Sequence, residues 1–218
     1  MPRTHYDHQL RALQDDLLRL ASQVEVAIGR AVAALQAQDV EEARRIIAED
    51  DEIDRAQYAI EDQALHLIAL QAPLAADLRL ISAVISIASE LERMGDYAEG
   101  IAEIVIRGAH EPLLKPLIDI PRMAQIAQQM LRAALDAFVQ RDAEAARQLA
   151  GTDDEVDRLT TAIQNELLGM MIQNPSNSER ALHLMFVAHN LERVADRATN
   201  IAERLIFLVT GAVVDLND

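Results

Sequence analysis

The 218-residue chain has no cysteine and no tryptophan, and only 3% of it is aromatic. Without cysteine there is no disulfide, no zinc–thiolate site and no thiol nucleophile. So few rings leave nothing to build a platform on which nucleic-acid bases could stack. Basic residues are in the minority, 20 Lys and Arg against 36 Asp and Glu, for a net charge of -16. Such a surface repels nucleic-acid backbones and anionic lipid. No apolar run reaches membrane-spanning length. The opening residues Met1-Pro2-Arg3-Thr4-His5 lack the apolar core of a secretory signal. There is no glycine-rich phosphate loop, which removes nucleotide binding from the expectations. The expected class is a cytoplasmic, soluble protein with no nucleic-acid partner and no direct membrane insertion.

What remains is helix-forming material. Half of the residues are hydrophobic, and Ala, Leu, Ile, Glu, Gln and Arg dominate, which points to an all-α fold. Leu10, Leu13, Leu17, Leu20, Val24, Ala27, Ala31 and Ala34 recur at steps of three and four, giving one long amphipathic helix over about residues 4–38. Asp39 is suited to cap a second helix, in which Ile46, Ile53, Ile60 and Leu67 stand one heptad apart. That helix should end before Pro73, because the residue preceding proline avoids the helical region. A third helix from near Ala75 to Arg107-Gly108 carries Val84, Ile87, Leu91, Met94, Ala98, Ile101 and Val105. Pro112, Pro116 and Pro121 then mark a boundary between residues 1–110 and 111–218.

Beyond the boundary the pattern restarts. A fourth helix spans about residues 122–140, and Asp142 opens a fifth with Leu149, Val156, Ile163 and Met170 in heptad register. Asn174-Pro175 breaks it, and Ser178 or a neighbour caps a sixth that reaches Thr210-Gly211. Residues 35–55 align with 138–158 without a gap, at an offset of 103. Three helices cannot hide their apolar stripes as a flat layer, so each half should close on itself. The expectation is two tandem antiparallel three-helix bundles related by internal duplication, with one continuous six-helix array as the alternative.

The same duplication carries the candidate chemistry. Leu91-Glu92-Arg93-Met94-Gly95-Asp96 recurs 100 residues later as Leu191-Glu192-Arg193-Val194-Ala195-Asp196. Asp50-Asp51-Glu52-Ile53-Asp54-Arg55 recurs as Asp153-Asp154-Glu155-Val156-Asp157-Arg158. In an antiparallel pair, residues equally far from the turn sit at one height. Asp54 and Glu92 each lie 19 residues from Pro73, and Asp50 and Asp96 each lie 23. Asp157 with Glu192, and Asp153 with Asp196, both sum to 349, so both pairs centre on Asn174-Pro175. With Ile53, Leu91, Val156 and Leu191 as heptad position a, the carboxylates fall at b, e and f, flanking the apolar seam. Each hairpin should therefore display four carboxylates at one height on a surface flank, outside the core. Like charges so placed repel unless a cation sits among them or protons are taken up. An all-oxygen set suits Mg, Mn, Ca or iron, and four bridging groups could hold more than one ion.

The paired acidic motifs, the Leu-Glu-Arg-x-x-Asp helix running on to Ile101-Ala102-Glu103 and Ile201-Ala202-Glu203, and Gln71-Ala72-Pro73 followed by Asp77-Leu78-Arg79 together resemble the PhoU family of phosphate-uptake regulators. The resemblance covers nearly the whole chain. It implies two three-helix bundles, a homodimer, and multinuclear metal sites occupied by iron or zinc. The implied ligands are Asp50, Asp54, Glu92 and Asp96 in one site, and Asp153, Asp157, Glu192 and Asp196 in the other. It also implies a negative regulator without catalytic chemistry, whose partners are the ATPase subunit of the phosphate ABC transporter and a membrane sensor kinase. One departure is that Asn200 fits the family helix where the first half has Gly100; Glu99 is the available substitute there, and its counterpart is Thr199.

The remaining features read as structural. None of the six histidines has Glu three residues before it, unlike the Glu-x-x-His of di-metal oxygen-activating bundles. His189, three residues before Glu192, is read as an ordinary side chain ahead of a ligand, and His66 as structural. Gly95 reads as a close helix contact. Met170, Met171 and Met185 read as core filler, and Arg93 and Arg193 as charge balance for the carboxylates. The alternative function is a metal-dependent phosphohydrolase, since clustered metals activate water, but no positioned base or cationic clamp accompanies the motifs.

Overall fold

A computed structural model of the chain describes residues 3–216, and the side chains from His5 onward. Seven α-helices follow in order: α1 Arg3–Ala37, α2 Val40–Gln71, α3 Ala75–Gly108, α4 Asp119–Gln140, α5 Ala143–Arg147, α6 Ala150–Gln173 and α7 Ser178–Thr210. No strand occurs among the described residues. The first three close into one bundle. The last four form a second, in which the single turn of α5 leads into α6.

The caps are those the chemistry dictates. Asp39 accepts a hydrogen bond from the Glu42 backbone N–H, and Asp142 does the same for Glu144 and Ala145. Just before them Gln38 and Arg141, at the 103-residue offset, end α1 and α4 with φ of 51° and 56°. α2 stops at Gln71, with Ala72 left-handed at φ 44° before Pro73. Of the expected cap, Ser178 or a neighbour, it is Asn177 that takes the position, without a side-chain cap bond; Ser178 is the first residue of α7, and its hydroxyl donates to the Pro175 carbonyl at 2.7 Å.

The heptad residues fill the core. Leu13, Leu17, Leu20, Val24 and Ile28 of α1 meet Ile46, Ile53 and Ile60 of α2 and Val84, Ile87, Leu91 and Met94 of α3, all buried. Two expectations about the second half need correction. The fifth helix is not continuous: Gln148 and Leu149 keep helical torsions, but the Leu149 N–H bonds the Ala146 carbonyl three residues back, and α6 starts afresh. The seam in α6 also ends on buried Leu167 rather than on Met170, which is only partly covered.

The bundles meet through α3 and α7, which run antiparallel, and through α1 and α4. The contacts have a two-fold pattern. Arg197 Nη1 donates to Glu90 Oε2 at 3.1 Å, and Asn190 Nδ2 reaches the Tyr97 carbonyl at 3.5 Å. Positions 90 and 190, and 97 and 197, are equivalent under the repeat, so one pairing maps onto the other. Gln128 Nε2 donates to the Glu25 carbonyl at 2.8 Å, and 25 and 128 are themselves equivalent. Such reciprocity is the mark of an isologous contact, here between the halves of one chain.

The Arg197–Glu90 pair is enclosed, with side chains only 12% and 15% exposed. Removing one partner strands a buried charge, whereas replacing both removes the desolvation cost as well. Arg197→Ala is therefore expected to destabilise the protein by about 3 kcal/mol, and Glu90→Leu with Arg197→Leu by much less. Urea unfolding of the three proteins measures it.

Candidate metal centre

The α2–α3 hairpin brings Asp50, Asp54 and Asp96 together, each offering an oxygen within 4.8 Å of the others. Gly95 makes the approach close: a Cβ there would lie 3.1 Å from the Ile53 side chain and 3.2 Å from Asp50 Oδ1. In the second half buried Ala195 takes this position. Glu92 stands outside the tight group but acts electrostatically on Asp54's side of the cluster and on Asp50. Glu99 joins the neighbourhood, since it is the largest charge acting on Asp50. Among the described residues the second hairpin has no three carboxylates within the same spacing.

The register expected from the turn is present in both hairpins. Asp196 is the strongest charge acting on Asp153, and Glu192 the strongest on Asp157, the two pairs centred on Asn174-Pro175. The placement outside the core is corrected at one position. Asp153 is only 7% exposed, and its Oδ1 has no hydrogen-bond partner. Asp50 and Asp153 both occupy heptad position e. In a three-helix bundle each helix buries a stripe wider than the a and d rows, so position e is partly enclosed while b and f stay nearer to water.

Enclosure and like charge push the carboxyls toward their neutral forms. Burial first, then Glu99, Asp96, Asp54 and Glu92, push Asp50 up to about 7. Burial, then Asp196, Asp157, Asp154 and Glu192, push Asp153 up to about 7. Glu92, Asp96 and Glu99 are raised by burial and then by neighbouring carboxylates, with Arg93 opposing the rise at Glu92 and Asp96. Asp157 and Asp196 rise mainly through burial, the latter held back by Arg193.

Other residues take roles the sequence did not reveal. Asn200 faces the other bundle: its Nδ2 donates to Glu90 Oε2 at 3.1 Å. Its counterpart is Gly100 because Asn190 fills that space; a Cβ at Gly100 would lie 2.9 Å from Asn190 Nδ2. Thr199 is fully buried, and its hydroxyl donates to the Asp196 carbonyl at 2.7 Å. His189 is exposed, with Nδ1 3.1 Å from Glu192 Oε2. His66 is also exposed and bonds the Asp62 carbonyl of its own helix at 2.8 Å.

The carboxylate sets are all-oxygen, crowded and underpartnered, and in the second a buried acceptor is left bare. Those properties fit hard or borderline cations. They do not fit acid–base catalysis on an organic substrate: among the described residues no nucleophile stands beside them, and the one paired cation, Arg193, is taken up by Asp196.

A family model described as the PhoU domain matches the chain twice, over residues 17–105 and 120–205. The chain is 39% identical over 222 residues to the phosphate-specific transport system accessory protein PhoU homolog of Clostridium acetobutylicum, covering all of both proteins. The homolog of the same description from Aquifex aeolicus is 41% identical over 206 residues, 94% of this chain and 93% of that protein. The crystal structure of the phosphate transport system regulatory protein PhoU from Streptococcus pneumoniae superposes with a TM-score of 0.89 at 33% identity, covering 96% of this chain and 99% of that one. The crystal structure of PhoU from Pseudomonas aeruginosa superposes at 0.90 and 31% identity, covering 95% and 100%.

The raised carboxyls set a pH dependence. Their folded-state values lie above those of an unfolded chain, so the folded protein binds more protons between about pH 4 and 7. Stability is then highest at the acid side of that window and falls as pH rises through it. The melting temperature of metal-free protein is expected to rise on going from pH 8 to pH 5.5. Asp153→Asn should raise it at pH 8 and flatten the slope. Calorimetry across that range checks both.

Proposed function

The chain belongs to the PhoU family and is an accessory, regulatory protein of phosphate transport rather than an enzyme; from that premise we propose that it is a metal-loaded adaptor that restrains phosphate uptake and phosphate-starvation signalling. The observation that carries the metal part is the convergence of Asp50, Asp54 and Asp96 from two helices onto one spot. Glu92 and Glu99 would complete the first set. Asp153, Asp157, Glu192 and Asp196 would hold the second, where Asp153 Oδ1 lacks any other partner. Iron or zinc are the ions proposed, with Mg, Mn and Ca sharing the preference for oxygen. When bound, such ions cancel carboxylate repulsion and stiffen each hairpin at its midpoint.

The partners proposed are the ATPase subunit of the phosphate transporter and a membrane sensor kinase, met from the cytoplasmic side. No helix of the described chain is long and apolar enough to cross a membrane, so docking rather than insertion would bring it there. A second copy is the other partner proposed. Leu182 and Phe186, one turn apart on α7, stand 46% and 58% exposed, a pair suited to self-association. Sedimentation at micromolar concentration should find dimer, and monomer alone would count against this.

The decisive test pairs metal analysis with capture. Asp54→Ala with Asp96→Ala should empty the first site and spare the second, and Asp157→Ala with Asp196→Ala the reverse. Elemental analysis reads the metal, and circular dichroism should show the helices kept, since these four groups lie off the apolar seam. Each protein is then used to capture the transporter ATPase from phosphate-replete cells. Unchanged metal in both variants would reduce the carboxylates to a solvated face, and failure of intact protein to retain the ATPase would remove the adaptor.

A further inference from the structure

The two carboxylate sets differ in a way that the repeat does not predict. In the second, Arg193 Nη1 donates to Asp196 Oδ2 at 2.5 Å, with the side chains 36% and 20% exposed. His189, beside Glu192, has Ser89 as its counterpart in the first half. In the first set Arg93 is exposed and, among the described residues, forms no ion pair with Asp96 or Glu92. One site thus carries a paired cation, while at the other Arg93 acts only from a distance.

A second observation concerns Asp153. It is more than nine-tenths buried, its Oδ1 is bare, and Asp196 is the strongest charge acting on it. The guanidinium therefore satisfies Asp196 but leaves its neighbour unmet. An ion placed between the two would satisfy both, yet a carboxylate oxygen held by an N–H has that lone pair engaged. Arg193 and an entering ion therefore compete for Asp196, and the partly exposed arginine has water to enter.

Resting on the metal reading above, we propose that Arg193 is a gate built into the second site: it occupies Asp196 as a stand-in cation, and a metal ion must compete with it for that carboxylate. The second site then binds more weakly and exchanges its ion, responding to metal supply. The first site has no such occupant and fills first. Arg193 is a positioning residue here, not a ligand.

The test uses manganese(II) as the probe, with free ion followed by electron paramagnetic resonance. The Asp54→Ala, Asp96→Ala protein isolates the second site, and the Asp157→Ala, Asp196→Ala protein isolates the first. Adding Arg193→Gln to the former should tighten binding about tenfold, the worth of one charge-assisted hydrogen bond. Adding Arg93→Gln to the latter removes a nearby charge only and should tighten it less than about threefold. Equal tightening in the two backgrounds, or none at the second site, overturns the gate while leaving the metal sites standing. No manganese bound in either background overturns the metal reading and the gate with it.

Discussion

Two helices that bury a shared apolar seam fix the height of every residue beside that seam. This constraint underlies the rest of the molecule. Ile46, Ile53 and Ile60 of α2 are buried in one core with Leu91, Met94 and Ala98 of α3, and Ile53 stands against Gly95, so the flanking Asp50, Asp54 and Asp96 are held near one another. Repulsion among carboxylates on an isolated helix is a few tenths of a kcal/mol, far less than the several kcal/mol gained by burying the seam. The core wins, and the charges are held together. Enclosure first, and crowding of like charge second, appear as carboxyls that resist ionisation.

Much of this was legible in the sequence because it depends on spacing alone. Helix boundaries followed from Asp39, Pro73, Asp142 and Asn174-Pro175, whose effects are local. Site register followed from counting out from each turn. What was not legible depends on the third helix of each bundle and on the other bundle. Asp153 reads as a flank residue in a two-helix pattern, and only packing in three dimensions encloses it. The break after α5 is a local tightening that no proline or turn dipeptide announces.

The interface between bundles was the least legible, for a different reason. Glu90, Tyr97, Arg197 and Asn200 are polar, and nothing in their periodicity marks them for burial. The one available signal is that equivalent positions differ in complementary ways: Glu90 against Asn190, Tyr97 against Arg197, Gly100 against Asn200. A symmetric contact between identical halves would set Glu90 against Tyr97 twice. Divergence after duplication turned one of these pairings into the buried ion pair and left the other as an amide–carbonyl contact.

That divergence ties the interface to the sites. On α3 the motif places Glu92 and Asp96 toward α2, and its neighbours Glu90 and Tyr97 toward α7. On α7, Glu192 and Asp196 point to α6, while Asn190 and Arg197 point back to α3. Each helix thus holds one carboxylate set on one face and the opposite bundle on the next, one or two residues away. Asp196 is the ligand candidate most affected, because Arg193 and Arg197 flank it on either side and both draw on its charge. Only Arg193 is paired with it, since Arg197 is committed to Glu90. The first half has Tyr97 at the position of Arg197 and, among the described residues, no ion pair for Arg93, so positive charge opposes its carboxylates less closely. Two copies of one motif have in this way become chemically unequal through the residues that join the halves.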